Sequence, residues 1–269
     1  MTNIPALAPP LPREKTWKRD VAPANAFAWL AAGWRDCMTE PATSLGYGLI
    51  VFLISVGIVF SLIVFEVDYI MFPALAGFMV ISPIVAVGLY EKSRCIAAGE
   101  PCGLARMIFV KPESGGQILF TGVILCLVML LWMRAAVIIY ALFFGMRPFP
   151  GLNHIAPMLF TTDIGWAMLA VGSAVGGLFA AFSFAISVFS IPMLLDKRVD
   201  ALTAMGTSVA LVWNNLPTMM MWGAIVLALF LFSLATGLIG LIVVFPLLGH
   251  GTWHRSEEHT SELQSRLHL

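Results

Sequence analysis

The chain has 269 residues, of which 59% are hydrophobic and 11% are charged, and its formal net charge is zero. Soluble domains carry about 25% charged residues, so this chain has too few charges to cover a water-facing surface, and we expect lipid to be its main solvent. The lack of net positive charge argues against nucleic acid as a partner. The four cysteines form no CxxC pair, which argues against a disulfide framework or a zinc site. We expect no metal and no cofactor.

The chain begins with a polar segment, residues 1–20, which is rich in proline and carries Arg13, Lys15, Lys18 and Arg19 in its second half. A signal peptide has an apolar run directly behind its charges, whereas the first strong apolar run here begins near Leu45. We therefore expect 1–20 to be a disordered cytoplasmic tail. The first apolar run then stays in the protein as a membrane anchor.

Six apolar segments follow, and a helix needs about 20 apolar residues to cross a bilayer. The predicted spans are 45–65, 69–89, 118–144, 165–195, 214–234 and 237–253. The last two come from one apolar region, 216–248, which as a single helix would be about 50 Å long. Because the hydrocarbon layer is about 30 Å thick, we favour two spans with a turn at Ala235-Thr236-Gly237 over one tilted helix. The sequence predicts an all-α, polytopic membrane domain over 21–254.

Basic residues set the expected topology. They are concentrated in 1–20, in 90–111 and at Lys197-Arg198, while the alternate turns carry few. Basic segments lie on the cytoplasmic side of a membrane protein. We therefore expect both ends of the chain in the cytoplasm.

Three amphipathic segments, 21–38, 104–110 and 201–216, each precede a pair of predicted spans. The apolar faces of the first and last comprise Phe27, Leu30, Ala31, Trp34 and Met38, and Leu202, Met205, Val209, Val212, Trp213 and Leu216. Such faces are typical of surface helices. We predict three hairpins, each preceded by an interfacial amphipathic helix. Internal duplication and ordinary amphipathic linkers both account for this pattern.

Several motifs carry a family resemblance. They are Gly88-Leu89-Tyr90-Glu91 with Ser93-Arg94, Gly99-Glu100-Pro101, Trp132-x-Arg134, PMLLD at 192–196, VDALTAMGTS at 199–208 and FPLLGHGTWH at 245–254. From about Trp29 to His254 the chain resembles an uncharacterised bacterial family of predicted integral membrane proteins, domain of unknown function 2189. The resemblance implies six spans in a proteobacterial inner membrane and no known activity.

A different resemblance marks the C terminus. The stretch RSEEHTSELQS, which runs from Arg255 to Ser265, resembles the translation of a sequencing adapter and breaks from the composition before it. We treat 255–269 as artefactual.

Some relatives are described as cytochrome c oxidase proteins, and the positions of the histidines test whether that description fits this chain. A haem-copper core subunit needs several histidines inside its spans. Here His154 lies in a loop, His250 and His254 lie at a helix end, and His259 and His268 lie in the adapter-like tail. The sequence argues against a catalytic oxidase subunit. It also lacks HExxH, GxSxG and GxxxxGK[ST] motifs, so we expect no enzyme.

Arg134 is the clearest charge inside a predicted span. Placing an arginine in hydrocarbon costs from about 2.5 to more than 10 kcal/mol. We expect either a structural role, as a snorkelling side chain or an ion pair, or contact with a substrate or ion. Its candidate partners in neighbouring turns are Glu66, Asp68 and Asp163.

Two further groups of residues are candidates. A charge cluster at the cytoplasmic face comprises Tyr90, Glu91, Arg94, Asp196, Lys197 and Arg198, which anchor the helices or bind an anion. Small residues in the fourth span, Gly172, Gly176 and Gly177, predict close helix packing, either within the chain or between subunits.

Two functions remain: a membrane protein that binds or transports a small solute, and an accessory or assembly protein of a membrane complex such as a respiratory complex.

Overall fold

The computed structural model describes the backbone of residues 22–145 and 151–267, which form helices joined by turns and no strand. Side chains are described as far as Ser256, except at 68, 152, 153 and 156. The tail predicted for 1–20 lies outside the described residues. The helices are α1 (Asn25–Met38), α2 (Pro41–Val64), α3 (Met71–Val85), α4 (Val87–Ala98), α5 (Leu104–Ile108), α6 (Gly115–Phe144), α7 (Leu152–Thr161), α8 (Asp163–Ser187), α9 (Ser190–Asp196), α10 (Ala201–Asn214), α11 (Leu216–Ala235) and α12 (Leu241–Leu267).

Five helical segments are long and apolar enough to cross a membrane. They are Pro41–Val64, Met71–Ala98, Gly115–Phe144, Asp163–Asp196 and Leu216–Ala235. The second combines α3 with α4 and the fourth combines α8 with α9. The prediction of an all-α membrane protein with several spans is confirmed. The sixth predicted span corresponds to the first part of α12, which begins after the turn at residues 236–240.

The outer surface of the spans is apolar. On α2, Leu53, Phe60 and Val64 are exposed, while the buried residues of that helix are Ser44, Gly48 and Val51. A surface of this kind is costly in water and costs nothing against lipid tails. The described spans therefore have the surface of helices that face a bilayer.

The spans do not pack as a simple row of three hairpins. α6 packs against α8, but α2 packs mainly against α12, and α3 packs against α6 and α8. Glycine explains the α2–α12 contact, because a Cβ on Gly48 would meet the backbone carbonyl of Ile242 and the ring of Pro246. Small residues let helix backbones approach closely, and such contacts select the partner of each helix.

The two longer amphipathic segments form α1 and α10. Asp200 caps α10 by accepting a hydrogen bond from the amide of Thr203 at 2.9 Å. Their predicted apolar faces lie largely on the outside, where Phe27, Trp34 and Trp213 are exposed. Met205 and Val212 are the members of the α10 face that are buried. Exposed aromatic residues on a helix beside a span are typical of a membrane interface.

Candidate functional site

The helices α1, α2, α4 and α12 come together, and glycine residues allow their backbones to approach closely. A Cβ on Gly33 of α1 would lie 2.6 Å from the amide nitrogen of Gly251 and 2.7 Å from the carbonyl oxygen of Leu247, both on α12. Gly48 makes the corresponding close approach from α2. Because residues three and four apart share a helix face, Asp36, three residues after Gly33, is directed into the same crossing.

His250 lies at the centre of this crossing and is 0% exposed. Its Nε2 lies 2.9 Å from Oγ of Ser44 on α2. Its Nδ1 lies 2.7 Å from Oγ of Ser93 on α4. Both ring nitrogens are therefore held by serine hydroxyls from two other helices.

Asp36 accepts hydrogen bonds at one carboxylate oxygen. Ser93 donates its hydroxyl to Oδ2 at 2.6 Å, and Nε2 of His254 lies 2.8 Å from the same oxygen. Burial opposes the charge on this carboxylate, but the hydrogen bonds from His254 and Ser93 and the nearby imidazoles outweigh it and hold the pKa of Asp36 below its usual value. Asp36 is thus an ionised group inside the protein.

Lys92 on α4 is the remaining polar residue of this cluster, and its side chain extends toward α2. Its Nζ donates to Oγ of Ser44 at 2.7 Å and to the backbone carbonyl of Glu40 at 2.9 Å, and its side chain is 1% exposed. A buried ammonium is tolerated when it is paired and hydrogen-bonded. We call these residues, Asp36, Ser44, Lys92, Ser93, His250 and His254, the polar junction.

A second charged group lies on the same helix as Lys92. Glu91 is buried, and its two carboxylate oxygens contact Arg94 at 2.6 Å and Arg106 at 2.9 Å. Arg106 also pairs with Glu100 at 2.9 Å. The hydrogen bonds from Arg106 to Glu91 and Glu100 raise the pKa of that guanidinium. One carboxylate therefore joins α4 to the segment that contains α5.

A cavity of about 280 Å³ opens beside this charged group. It is lined by Arg94, Cys95, Ala98, Glu100 and Arg106. Ligand pockets in proteins have volumes of about 300–1,000 Å³, so the cavity is slightly smaller than the smallest of these. Its walls offer guanidinium groups, a carboxylate and apolar surface.

The predicted charge cluster is divided in the structure. Tyr90 is buried in the apolar core, whereas Glu91 and Arg94 form the ion pair just described. Arg94 donates to the backbone carbonyl of Leu195 at 3.2 Å, which joins α4 to α9. The other three residues, at and just after the end of α9, stand apart from this ion pair. Asp196 is exposed, the carbonyl of Lys197 accepts a hydrogen bond from Ser114, and Arg198 pairs with Glu113 at 3.0 Å.

Arg134 lies on the outer surface of α6 and is exposed. Among the described side chains it forms no ion pair, and this includes Glu66 and Asp163, two of the three candidate partners. The Asp68 side chain lies outside the described residues. The neighbouring Trp132 points inward and donates its indole N–H to the carbonyl of Pro73 at 3.0 Å. Arg134 thus faces the bilayer rather than the interior of the bundle.

The predicted packing glycines behave differently from one another. A Cβ on Gly176 would lie 2.8 Å from the ring of Trp132, so this glycine permits the close contact between α8 and α6. A Cβ on Gly172 or Gly177 would meet nothing within 4 Å. Of the three predicted glycines, only Gly176 makes a close helix contact within the chain, and close approaches of backbone to backbone also occur at Gly33 and Gly48.

Sequence reasoning missed the polar junction as a site. It placed His250 and His254 at a helix end, and it used Lys92 only for topology. Two features of the sequence were available: glycines flank His250 at 249 and 251, and Asp36 is a charge within an amphipathic apolar segment. The described residues contain no group of three or more side chains arranged to hold a metal ion.

The junction has the parts of a nucleophile and a base, since Ser44 contacts the imidazole of His250. Ser44 is, however, 0% exposed, so a substrate could reach its oxygen only if the helices separated. The arrangement instead orders protons and charges within the protein.

The helices and their apolar surface define the chain as a multi-pass integral membrane protein. A family model described as predicted integral membrane protein (DUF2189) matches residues 70–196. The resemblance of the chain to this family is confirmed, although the motifs at 199–208 and 245–254 lie outside the match. No curated protein and no solved structure matches the chain.

Proposed function

We propose that this integral membrane protein binds a small solute at the basic end of its helix bundle and transports it across the membrane. The basic end is the end that holds Lys92, Arg94, Arg106, Lys197 and Arg198. The observation that carries the proposal is the cavity of about 280 Å³ whose wall includes Arg94 and Arg106. Ionisable residues in membrane segments are expensive and mark solute or ion pathways.

The charges around the cavity support binding rather than simple anchoring. Both arginines contact the buried Glu91, so their guanidinium groups are held in place instead of extending into solution. Each guanidinium has five N–H donors, and the recorded bonds of Arg94 and Arg106 use only part of this capacity. A polar solute of a few heavy atoms fits the volume and finds donors already positioned.

The test uses the purified full chain in detergent, with glycine, acetate and inorganic phosphate as probes. Ala98 lines the cavity and Ala97 is an exposed neighbour outside it. We expect at least one probe to raise the melting temperature of the native protein and of Ala97→Trp but not of Ala98→Trp, because the indole fills the cavity. Binding that survives in Ala98→Trp, or no response to any probe, would contradict the proposal.

We further propose six spans, with α12 as the sixth, in a bacterial inner membrane with both ends in the cytoplasm. The apolar part of α12 follows a turn at residues 236–240 and packs along α2 and α1. Lys92, Arg106 and Lys197 lie at one end of the bundle, and basic residues favour the cytoplasmic side.

A second candidate function, as an accessory or assembly protein of a membrane complex, is favoured by the outer surface of α6 and α8. Trp132 contacts Gly176, which places Arg134 about level with residue 174 of the packed antiparallel helix. Exposed small residues continue along α8 at this level: Ala170, Ser173, Ala174, Gly177 and Ala181. A partner helix with an acidic residue, in another protein or in a second copy, would fit this surface.

Co-purification from native membranes tests the second candidate. We expect a stoichiometric partner with the native chain and its loss with Arg134→Leu, while Arg198→Leu, a change at an exposed arginine outside this surface, retains it. If the native chain purifies without a partner in mild detergent, the accessory function is ruled out.

A further inference from the structure

We propose that the polar junction is a proton relay, a site that passes one proton between Lys92 and Asp36 through the imidazole of His250. The ligand of this site is the proton itself. The proposal does not depend on the solute or on its cavity. It rests on how the hydrogen-bond donors and acceptors of the junction can be matched.

The number of protons that each group can donate determines which group is the donor in each hydrogen bond between Lys92 and Asp36. A charged lysine only donates, a carboxylate only accepts, and each serine hydroxyl carries a single proton. Ser93 donates its hydroxyl hydrogen bond to Asp36, so the 2.7 Å contact between Ser93 and His250 requires the ring proton to be on Nδ1.

The other ring nitrogen then accepts. Ser44 accepts a hydrogen bond from the ammonium group of Lys92, so its own hydroxyl proton is directed to Nε2 of His250 at 2.9 Å. A charged imidazolium beside the ammonium group, with no contact with water, is disfavoured by burial and by like charge. His250 is therefore neutral, with the proton on Nδ1.

This order allows a proton to move without any residue changing place. An N–H bond of Lys92 breaks as its proton forms an O–H bond on Ser44. The hydroxyl proton of Ser44 passes to Nε2 of His250, and the Nδ1 proton passes to Ser93. The hydroxyl proton of Ser93 then forms an O–H bond on Oδ2 of Asp36. Lys92 has lost one proton, Asp36 has gained one, and the net charge of the junction is unchanged.

The surroundings of His250 favour such a transfer. The ionisable and hydrogen-bonding groups that face the junction are Asp36 and Cys37 from α1, the Glu40 carbonyl, Ser44 from α2, Lys92 and Ser93 from α4, and His254 from α12. Opposite charges stand at the two ends, and their mutual neutralisation removes the cost of keeping both charges buried.

One end of the relay reaches solution. The side chain of Asp36 is itself 10% exposed, so a proton on its carboxyl group can leave to water directly, and the neighbouring His254, whose Nε2 lies 2.8 Å from Oδ2, is 29% exposed. Lys92, at the other end, is 1% exposed. Protons on Lys92 therefore have a route to water through the junction that does not require the helices to open.

Nitrogen-15 NMR of histidine-labelled protein tests the order of the bonds. We expect the native His250 to be neutral and protonated on Nδ1. Ser93→Ala removes the acceptor of that proton, so the ring should change to the Nε2–H form and donate to Ser44. Ser183→Ala is the matched control, because Ser183 is buried and bonds only the carbonyl of Phe179 in its own helix. A native His250 protonated on Nε2 would overturn the proposal.

Hydrogen exchange at the Lys92 ammonium tests the transfer itself. Positioned proton transfer contributes rate factors of about 10²–10⁴, so Ser44→Ala and Ser93→Ala should each slow exchange by about 100-fold, whereas Ser183→Ala should not. Backbone amide exchange in α4, measured in the same samples, reports opening of the helices. Unchanged ammonium exchange with unchanged amide exchange would mean that the junction is a structural tie only, and would overturn the relay.

Discussion

Asp36 is the residue on which the junction depends most directly, because its Oδ2 holds Ser93 and His254 at once. It lies on a helix whose other buried residues are small or apolar, such as Ala26, Trp29 and Ala32. A carboxylate in that position joins α1 to α4 and α12 through side chains rather than through apolar packing.

Asp36→Asn should destabilise the protein. The amide keeps the shape of the side chain but lacks the charge, and hydrogen bonds to charged groups contribute about 1.5–3 kcal/mol. We expect the free energy of unfolding to fall by that amount, measured by denaturant or thermal unfolding in detergent. Asp196→Asn, at an exposed carboxylate, should change stability by less than about 0.5 kcal/mol. Equal effects of the two substitutions would argue against a special role for Asp36.

The stabilisation by Asp36 should depend on pH with a definite sign. The pKa of Asp36 in the folded protein is held below its ordinary value near 3.8, so its contribution is complete above that value and is lost as the pH falls through the folded pKa. The difference in melting temperature between the native protein and Asp36→Asn should therefore be constant above about pH 5 and shrink below about pH 4. A difference that grows on acidification would contradict this assignment.

At the level of the helices, glycine residues at particular crossings decide which helices pack against each other. Gly33 and Gly251 allow α1 to lie against α12, and Gly48 allows α2 to lie against α12. Lipid tails are as apolar as the helix surfaces, so close packing rather than apolar burial decides which helices associate. The same crossings place Ser44 and His250 within hydrogen-bond distance.

Gly33→Ala tests the crossing of α1 and α12. The added methyl group would meet backbone atoms of Gly251 and Leu247, which cannot rotate away, and overpacking of this kind costs about 1–3 kcal/mol. Gly57→Ala is the control, since a Cβ there meets nothing within 4 Å and alanine favours a helix by up to about 1 kcal/mol. We expect opposite shifts of the melting temperature. Two shifts of the same sign would remove the evidence for a tight crossing.

Helix positions were largely predictable from the sequence, because apolar runs of sufficient length must be spans. The packing partner of each helix could not be predicted from the sequence. The predicted glycines at 172 and 177 have open space beside them, whereas Gly33 and Gly48, which make the tight contacts, stood out in no pattern. A glycine reveals its role only when the opposite backbone is known.

At the scale of the whole molecule, the distribution of charge suggests one orientation. Five helices meet the requirements of a span, and the direction of α12 decides whether the two ends of the chain lie on the same side. Reporter fusions settle this point. Green fluorescent protein fused after His254 should fluoresce, and alkaline phosphatase fused there should be inactive, if α12 crosses the membrane.

Alkaline phosphatase fused after Glu66, in the turn between α2 and α3, provides the positive control and should be active. Active phosphatase at both positions would leave α12 on the far side and reduce the protein to five spans. Inactive phosphatase at Glu66 would reverse the orientation inferred from the basic residues.

The class of protein and the approximate positions of its helices follow from the sequence alone, because composition and run length dictate whether a segment prefers lipid to water. The resemblance to a membrane protein family from about Trp29 to His254 was also readable there, and a family model matches 70–196. Only the tertiary structure revealed the polar junction. Asp36, Lys92 and His250 are separated by more than fifty residues from one another, and no local pattern encodes their meeting. They meet because glycine-mediated crossings bring four helix backbones close enough for short polar side chains to reach one another.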